Sequence, residues 1–153
     1  MISTYTDIYA RFLMKIRDYE FCNLSEADAS EAMKGWLIAS VSHPYVYRIF
    51  GSFAADDETG TLDYTLVQSV DAFSDKNFIE ELLSCQMVCE WLSPKLKSTT
   101  LLNQMITNSK EQKFYAQQAH IEQMRALVDD SEGKVRGMLR DRGYLYNDYL
   151  RGS

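Results

Sequence analysis

The chain has 153 residues with 46% hydrophobic, 12% aromatic and 25% charged content, the profile of one ordinary globular domain, which excludes a disordered tail or a fibre. A formal net charge of -6 excludes broad wrapping of duplex nucleic acid, which needs several phosphates neutralised by Lys and Arg. No run approaches the ~18 consecutive apolar residues of a membrane span, and the start, Met1-Ile2-Ser3-Thr4, lacks the basic and apolar regions of a signal peptide, so neither a membrane nor secretion is expected.

Tyr5, Ile8, Phe12, Leu13 and Ile16 fall on a single helical stripe and predict a first helix over residues 3–19. Ser25 followed by Asp28 resembles an N-cap with a carboxylate in the first turn. Met33, Trp36, Leu37 and Ile38 supply the apolar face of this second helix, which should run to about Ser42 and be stopped or kinked by Pro44.

From Tyr45 the pattern changes. Val46, Tyr47, Ile49 and Phe50 lead into Asp56-Asp57-Glu58-Thr59-Gly60, after which Leu62, Tyr64 and Leu66 alternate with Thr61, Asp63 and Thr65. Period two on either side of an acidic, glycine-ended tip predicts a β-hairpin insertion over residues 45–68. A lone hairpin is marginal in water, so this one should rest on the helices or on another chain.

Ser74 and Asp75 open the next helix, whose stripe of Phe78, Leu82, Cys85, Cys89 and Leu92 is widened by Ile79, Leu83 and Met87, a width that means burial on several sides. It should end at Ser93-Pro94, with residues 95–107 a linker holding a short helical piece. Lys110 to Arg142 contains no proline and predicts one long C-terminal helix. There Phe114, Ile121, Val128 and Val135 recur seven apart, with Gln117, Met124, Ser131 and Met138 at companion positions, a coiled-coil-like seam. Such a seam serves either the chain's own core or a neighbouring subunit. Tyr144, Leu145, Tyr146, Tyr149 and Leu150 then form an aromatic and aliphatic tail over residues 143–153, expected to dock on the core or on another chain. The fold class is therefore mainly α, a single helical bundle over residues 1–142 with a hairpin insertion and a docking tail.

Catalytic chemistry is hard to find. Only His43 and His120 are available as bases, neither in a recognisable motif, and His120 sits on the polar side of its helix. Cys22, Cys85 and Cys89 are odd in number, which makes a disulfide framework improbable. The spacing of Cys85 and Cys89 offers no tetrahedral zinc set, so no metal or cofactor is expected. Glu80-Glu81 and Asp129-Asp130 read as solvent-facing pairs and Asp56-Asp57 as a loop tip. Residues 1–100 carry 15 acidic and 8 basic side chains and residues 101–153 carry 7 and 8, so the basic cluster Lys134, Arg136, Arg140 and Arg142 would suit a phosphate or an acidic partner surface.

Ile8-Tyr9-Xaa-Arg11-Phe12 with Lys15-Ile16-Xaa-Asp18-Tyr19-Xaa-Phe21, then Glu90-Trp91-Leu92-Xaa-Pro94, Leu101-Leu102 and Lys113-Phe114-Tyr115, resembles small neck proteins from the structural modules of tailed bacteriophages and prophages of Gram-positive bacteria. The likeness covers the first 21 residues and most of 78–150; residues 45–67 have no counterpart. It implies a head-tail connector, an adaptor subunit that forms a ring, typically of twelve copies, between portal and tail. Such a ring lines the passage of genomic DNA, which it contacts non-specifically. The implied location is the virion neck, after synthesis in the host cytoplasm. The implied partners are further copies, the portal protein, and tail or head-closure proteins, with no catalytic residues. The candidate interface residues are Phe114, Ile121, Met124, Val128, Tyr144, Tyr146, Tyr149 and Leu150, and the candidate channel-facing acids are Asp56, Asp57 and Glu58. A tail-completion or head-closure protein, and a cellular helical adaptor binding a partner helix through the seam, are the competing readings.

Overall fold

The computed structural model describes the backbone of residues 1–16, 25–106 and 111–144, and the side chains of these except 99–106, 111–118 and 144. Its elements in order are β1 (Ile2–Thr4), α1 (Tyr5–Lys15), α2 (Glu26–Ser42), α3 (Pro44–Tyr47), β2 (Phe50–Asp56), β3 (Thr61–Leu66), α4 (Ala72–Ile106) and α5 (Glu111–Tyr144). The protein is mainly helical with a small antiparallel sheet ordered β1-β3-β2.

Helix α1 is capped by Thr4, whose side chain accepts from the Asp7 amide at 3.1 Å. It buries Tyr5, Ile8 and Phe12 of the stripe its spacing predicts, and Ile16 is buried just beyond its end. Leu13, assigned to the same stripe, is exposed because it lies a residue round from Phe12 on the outer side. The helix is shorter than 3–19 at both ends. Residues 2–4 pair with β3, Ile2 opposite Asp63 and Thr4 opposite Thr61, a contact across some sixty residues of sequence that local periodicity cannot register. At the other end Ile16 turns extended, with φ -109 and ψ 145.

Helix α2 starts where the capping signal places it, with Ser25 accepting from the Asp28 amide at 3.2 Å, and buries Met33, Leu37 and Val41. Ile38, assigned to that apolar face, is instead exposed. The segment after Pro44 is one helical turn rather than the start of a strand. Proline's fixed φ suits the first position of a helix, and its missing N–H is not needed there.

The hairpin is present, but β1 makes the sheet three-stranded. Leu62 and Tyr64 of β3 are fully buried while Asp63 and Thr65 face out, the alternation read from sequence. Its tip turns on Gly60 at φ +65, a left-handed conformation costly for other residues. Gly51 marks a register shift in β2, where a Cβ would lie 3.0 Å from Thr65 Oγ1.

Helix α4 corrects the expectation of a stop at Ser93-Pro94 followed by a linker. It runs 35 residues through Pro94, on the order of 50 Å. Proline removes one backbone hydrogen bond, but packing on both sides of it holds the helix. Trp91 and Leu92 are buried before it, Leu96 packs against the core after it, and Lys95 Nζ lies over the Trp91 ring at 4.8 Å. Helix α5 packs along α4. The core joins Phe12 of α1 to Trp36 and Trp91, with ring centroids 5.6 and 6.2 Å apart. It continues through Leu37, Tyr64, Leu82, Leu83, Met87, Val128 and Val135.

Candidate functional site

The seam of α5 faces inward. Ile121, Met124 and Val128 are buried at 7%, 9% and 6% exposure, and Val135 at 1%. Val128, Val135 and Met124 belong to the same hydrophobic cluster as the α4 core residues. Of the candidate interface residues, Met124 and Val128 thus serve the chain's own core, because the wide apolar face of α4 needs a covering helix, and Ile121 is buried on the same helix. They do not offer a free stripe to a second chain. Phe114 lies on α5 with its side chain outside the described residues, as does that of Tyr144. Tyr146, Tyr149 and Leu150 lie wholly outside them.

The acidic tip is partly committed. Asp56 Oδ1 accepts from the amides of Glu58 at 2.9 Å and Thr59 at 3.3 Å, an Asx-type turn that holds the loop. Asp57 accepts from the Tyr5 hydroxyl at 2.9 Å and pairs with Lys34 Nζ at 2.7 Å. The Thr59 side chain together with the Thr59 and Glu58 amides holds the Asp56 carboxyl below the usual carboxylate range, and Lys34 followed by the Tyr5 hydroxyl does the same for Asp57. Burial and then the Asp57 contact push the Tyr5 hydroxyl well above its ordinary value. Glu58 remains exposed, so the tip presents less uncompensated charge than its three acids imply.

Glu80 and Glu81 are not solvent-facing. Glu80 is buried at 4% exposure and pairs with Arg11 at 3.2 Å. Glu81 accepts from Lys15 of α1 at 3.0 Å and from Lys134 of α5 at 2.6 Å. Although burial alone would raise it, the two ammonium groups bring the Glu81 carboxyl down to about 2. One carboxylate therefore ties three helices together, a role invisible in sequence because both lysines come from distant segments. A second tie closes the far end of α5. Asp75, fully buried, accepts from Ser69 Oγ at 2.5 Å and the Val70 amide at 3.1 Å. It also pairs with the Arg142 guanidinium, which bonds the Gln68 carbonyl at 3.2 Å and stacks over Phe78 at 4.6 Å. Of the basic cluster, Lys134 and Arg142 are thus spent inside the chain, whereas Arg136 and Arg140 stay exposed.

Asp129, Asp130 and His120 are exposed, as expected. His43 pairs with Glu90 and stacks on Tyr45 with centroids 5.0 Å apart. Cys85 and Cys89 are buried and free, and burial pushes the Cys89 thiol up to about 12, far from a reactive thiolate. Among the described residues no group of three or more His, Cys, Asp or Glu side chains is placed to hold a metal ion, and no helix is long and apolar enough to cross a membrane.

What the surface does present is unpaired backbone and apolar side chains. Strand β2 is an edge of the sheet. It pairs with β3 alone, and among the described residues no other backbone group bonds to it. Its sequence, Phe50-Gly-Ser-Phe-Ala-Ala-Asp56, holds no proline or lysine to blunt that edge, and five of its seven residues are exposed. Near the start of α4, Val67, Val70 and Phe73 stand out at 67%, 51% and 80% exposure. The sequence alternation shows β2 only as one half of a hairpin and carries no signal that its other side stays open.

No protein-family model, characterised protein or solved structure matches the chain.

Proposed function

We propose that this protein is a structural subunit rather than an enzyme. In the specific form its sequence resemblance implies, it is a head-tail connector of a tailed bacteriophage neck, in a ring of twelve copies between portal and tail. The observation that carries the assembly reading is the open β2 edge, which past the Gly51 irregularity runs over residues 52–56 with outer hydrogen-bonding groups that have no backbone partner among the described residues. An open edge binds by adding a strand, with main-chain hydrogen bonds supplying affinity. A strand edge that meets a different surface of the next copy makes a heterologous contact, which closes into a ring when the rotation fits. Val67, Val70 and Phe73 add apolar area at the same level of argument. The adaptor reading loses its main support, since Ile121, Met124 and Val128 are occupied within the chain.

The acidic loop between β2 and β3 is the part proposed to approach the DNA passage, where negative charge lets phosphates slide without holding them. Mass measurement of the chain alone and mixed with a phage portal protein tests the reading. The expected result is a large ring complex in the mixture. A chain that stays monomeric at high concentration and in the presence of portal overturns it.

A further inference from the structure

A cleft of about 590 Å³ opens between α3, α4 and the C-terminal half of α5. Arg48, at the C-terminal end of α3, and Arg136 and Arg140, one turn apart on α5, line it over an apolar wall of Val135, Leu139 and Tyr45. We propose that this cleft is a receptor for an acidic peptide segment of a partner protein. Asp or Glu carboxylates would engage the three guanidinium groups, and an adjacent apolar side chain would lie against Leu139 and Tyr45.

The charge balance asks for such an anion. Among the described residues neither Arg48 nor Arg136 makes an ion pair, and Arg140 has a 3.5 Å contact with its exposed neighbour Asp141. Arg136 and Arg140 are like charges four apart on a helix, which destabilise it mildly, and Arg48 brings a third cation from another element. Position is fixed for at least the first of them: the Arg48 amide bonds the Pro44 carbonyl at 3.1 Å, anchoring the residue at the end of its turn. A second cavity of about 270 Å³, lined by Gln68 and Phe78, adjoins the cleft across Arg48 and Leu139.

Guanidinium groups match carboxylates and phosphates equally well in geometry, so the surroundings decide. A nucleic acid needs cations spaced along a track, but the other cations of this half of α5, Lys134 and Arg142, are held by Glu81 and Asp75. The chain as a whole carries -6. Glu132 lines the same cleft and repels any anion beside it, so it disfavours a continuous run of charge but accepts from a peptide N–H where the acidic side chains are spaced apart. Buried Gln86, whose Nε2 donates to Glu90 at 3.2 Å, closes the cleft's inner side.

The proposal stands on the cleft itself and holds whether or not the chain forms rings. Selection of a random peptide library on the intact protein tests it. Recovered peptides should carry at least two Asp or Glu within about four residues of an aliphatic or aromatic side chain. They should bind R136A/R140A at least tenfold more weakly, and R48A more weakly as well, while far-UV circular dichroism and thermal midpoint stay unchanged. Oligothymidine at equal charge concentration should fail to displace them. Peptides without acidic enrichment, equal binding by the arginine variants, displacement by oligothymidine, or no saturable binder at all would each overturn it.

Discussion

Replacing Arg142 with alanine removes the cation that faces a fully buried carboxylate. Asp75 has 0% side-chain exposure and Arg142 10%, so water cannot stand in for the lost partner. Taking one member from such a buried pair typically costs about 3 to 5 kcal/mol. Two features place this case at the lower end. Asp75 keeps the Ser69 hydroxyl and the Val70 amide, and Arg142 Nε is itself buried without a hydrogen-bond partner, a burden the substitution lifts. Loss of the stacking over Phe78 adds a smaller amount. The expected cost of R142A is therefore about 3 kcal/mol by chemical denaturation. In a double-mutant cycle, D75N/R142M should cost clearly less than the sum of D75N and R142M. A loss below about 1 kcal/mol, or strict additivity, would refute the argument that this pair latches the end of α5 to the first turn of α4.

Acid should loosen the three-helix tie. The Glu81 carboxyl falls from 4.5 to about 2 in the folded chain, so its contribution is present above pH 4.5 and is lost as pH drops toward 2; it amounts to at most about 3 kcal/mol. Denaturation midpoints measured across that window should fall for the native chain and fall less for E81Q. Replacing Pro94 with alanine restores a backbone donor inside α4 and should raise stability by about 1 to 2 kcal/mol, read as a higher denaturant midpoint with unchanged slope. Charging the edge strand with A54K/A55K should leave the far-UV spectrum and thermal midpoint unchanged while abolishing assembly in mass measurements, because lysines on an edge strand disfavour strand addition.

Much of the helical framework is legible in the sequence because it depends on local signals. The Ser25 cap, the Tyr5–Ile8–Phe12 stripe and the alternation at Leu62 and Tyr64 each sit within a few residues of the structure they specify. What was not legible depends on distant partners. Ile2-Ser3-Thr4 becomes a strand only because β3 comes to it. Pro94 stays within a helix because Trp91, Leu92 and Leu96 hold the flanking turns on the core. Glu81 reads as a surface carboxylate until Lys15 and Lys134 arrive from α1 and α5. The same holds for the candidate surfaces. A heptad seam looks identical whether it faces a partner chain or α4, and the acids of the tip do not reveal that Lys34 and Tyr5 claim one of them. Arg48 and Arg136 are 88 residues apart in sequence, so their shared cleft could not be read from spacing.

The central claim is that β2 offers its outer edge to another chain. Amide hydrogen exchange across residues 50–56, compared between the isolated protein and the portal-bound assembly, tests it most directly. Amides on the outward side of β2 should exchange quickly in the free chain and become strongly protected on assembly. An assembly that forms while β2 exchanges as fast as before would contradict it.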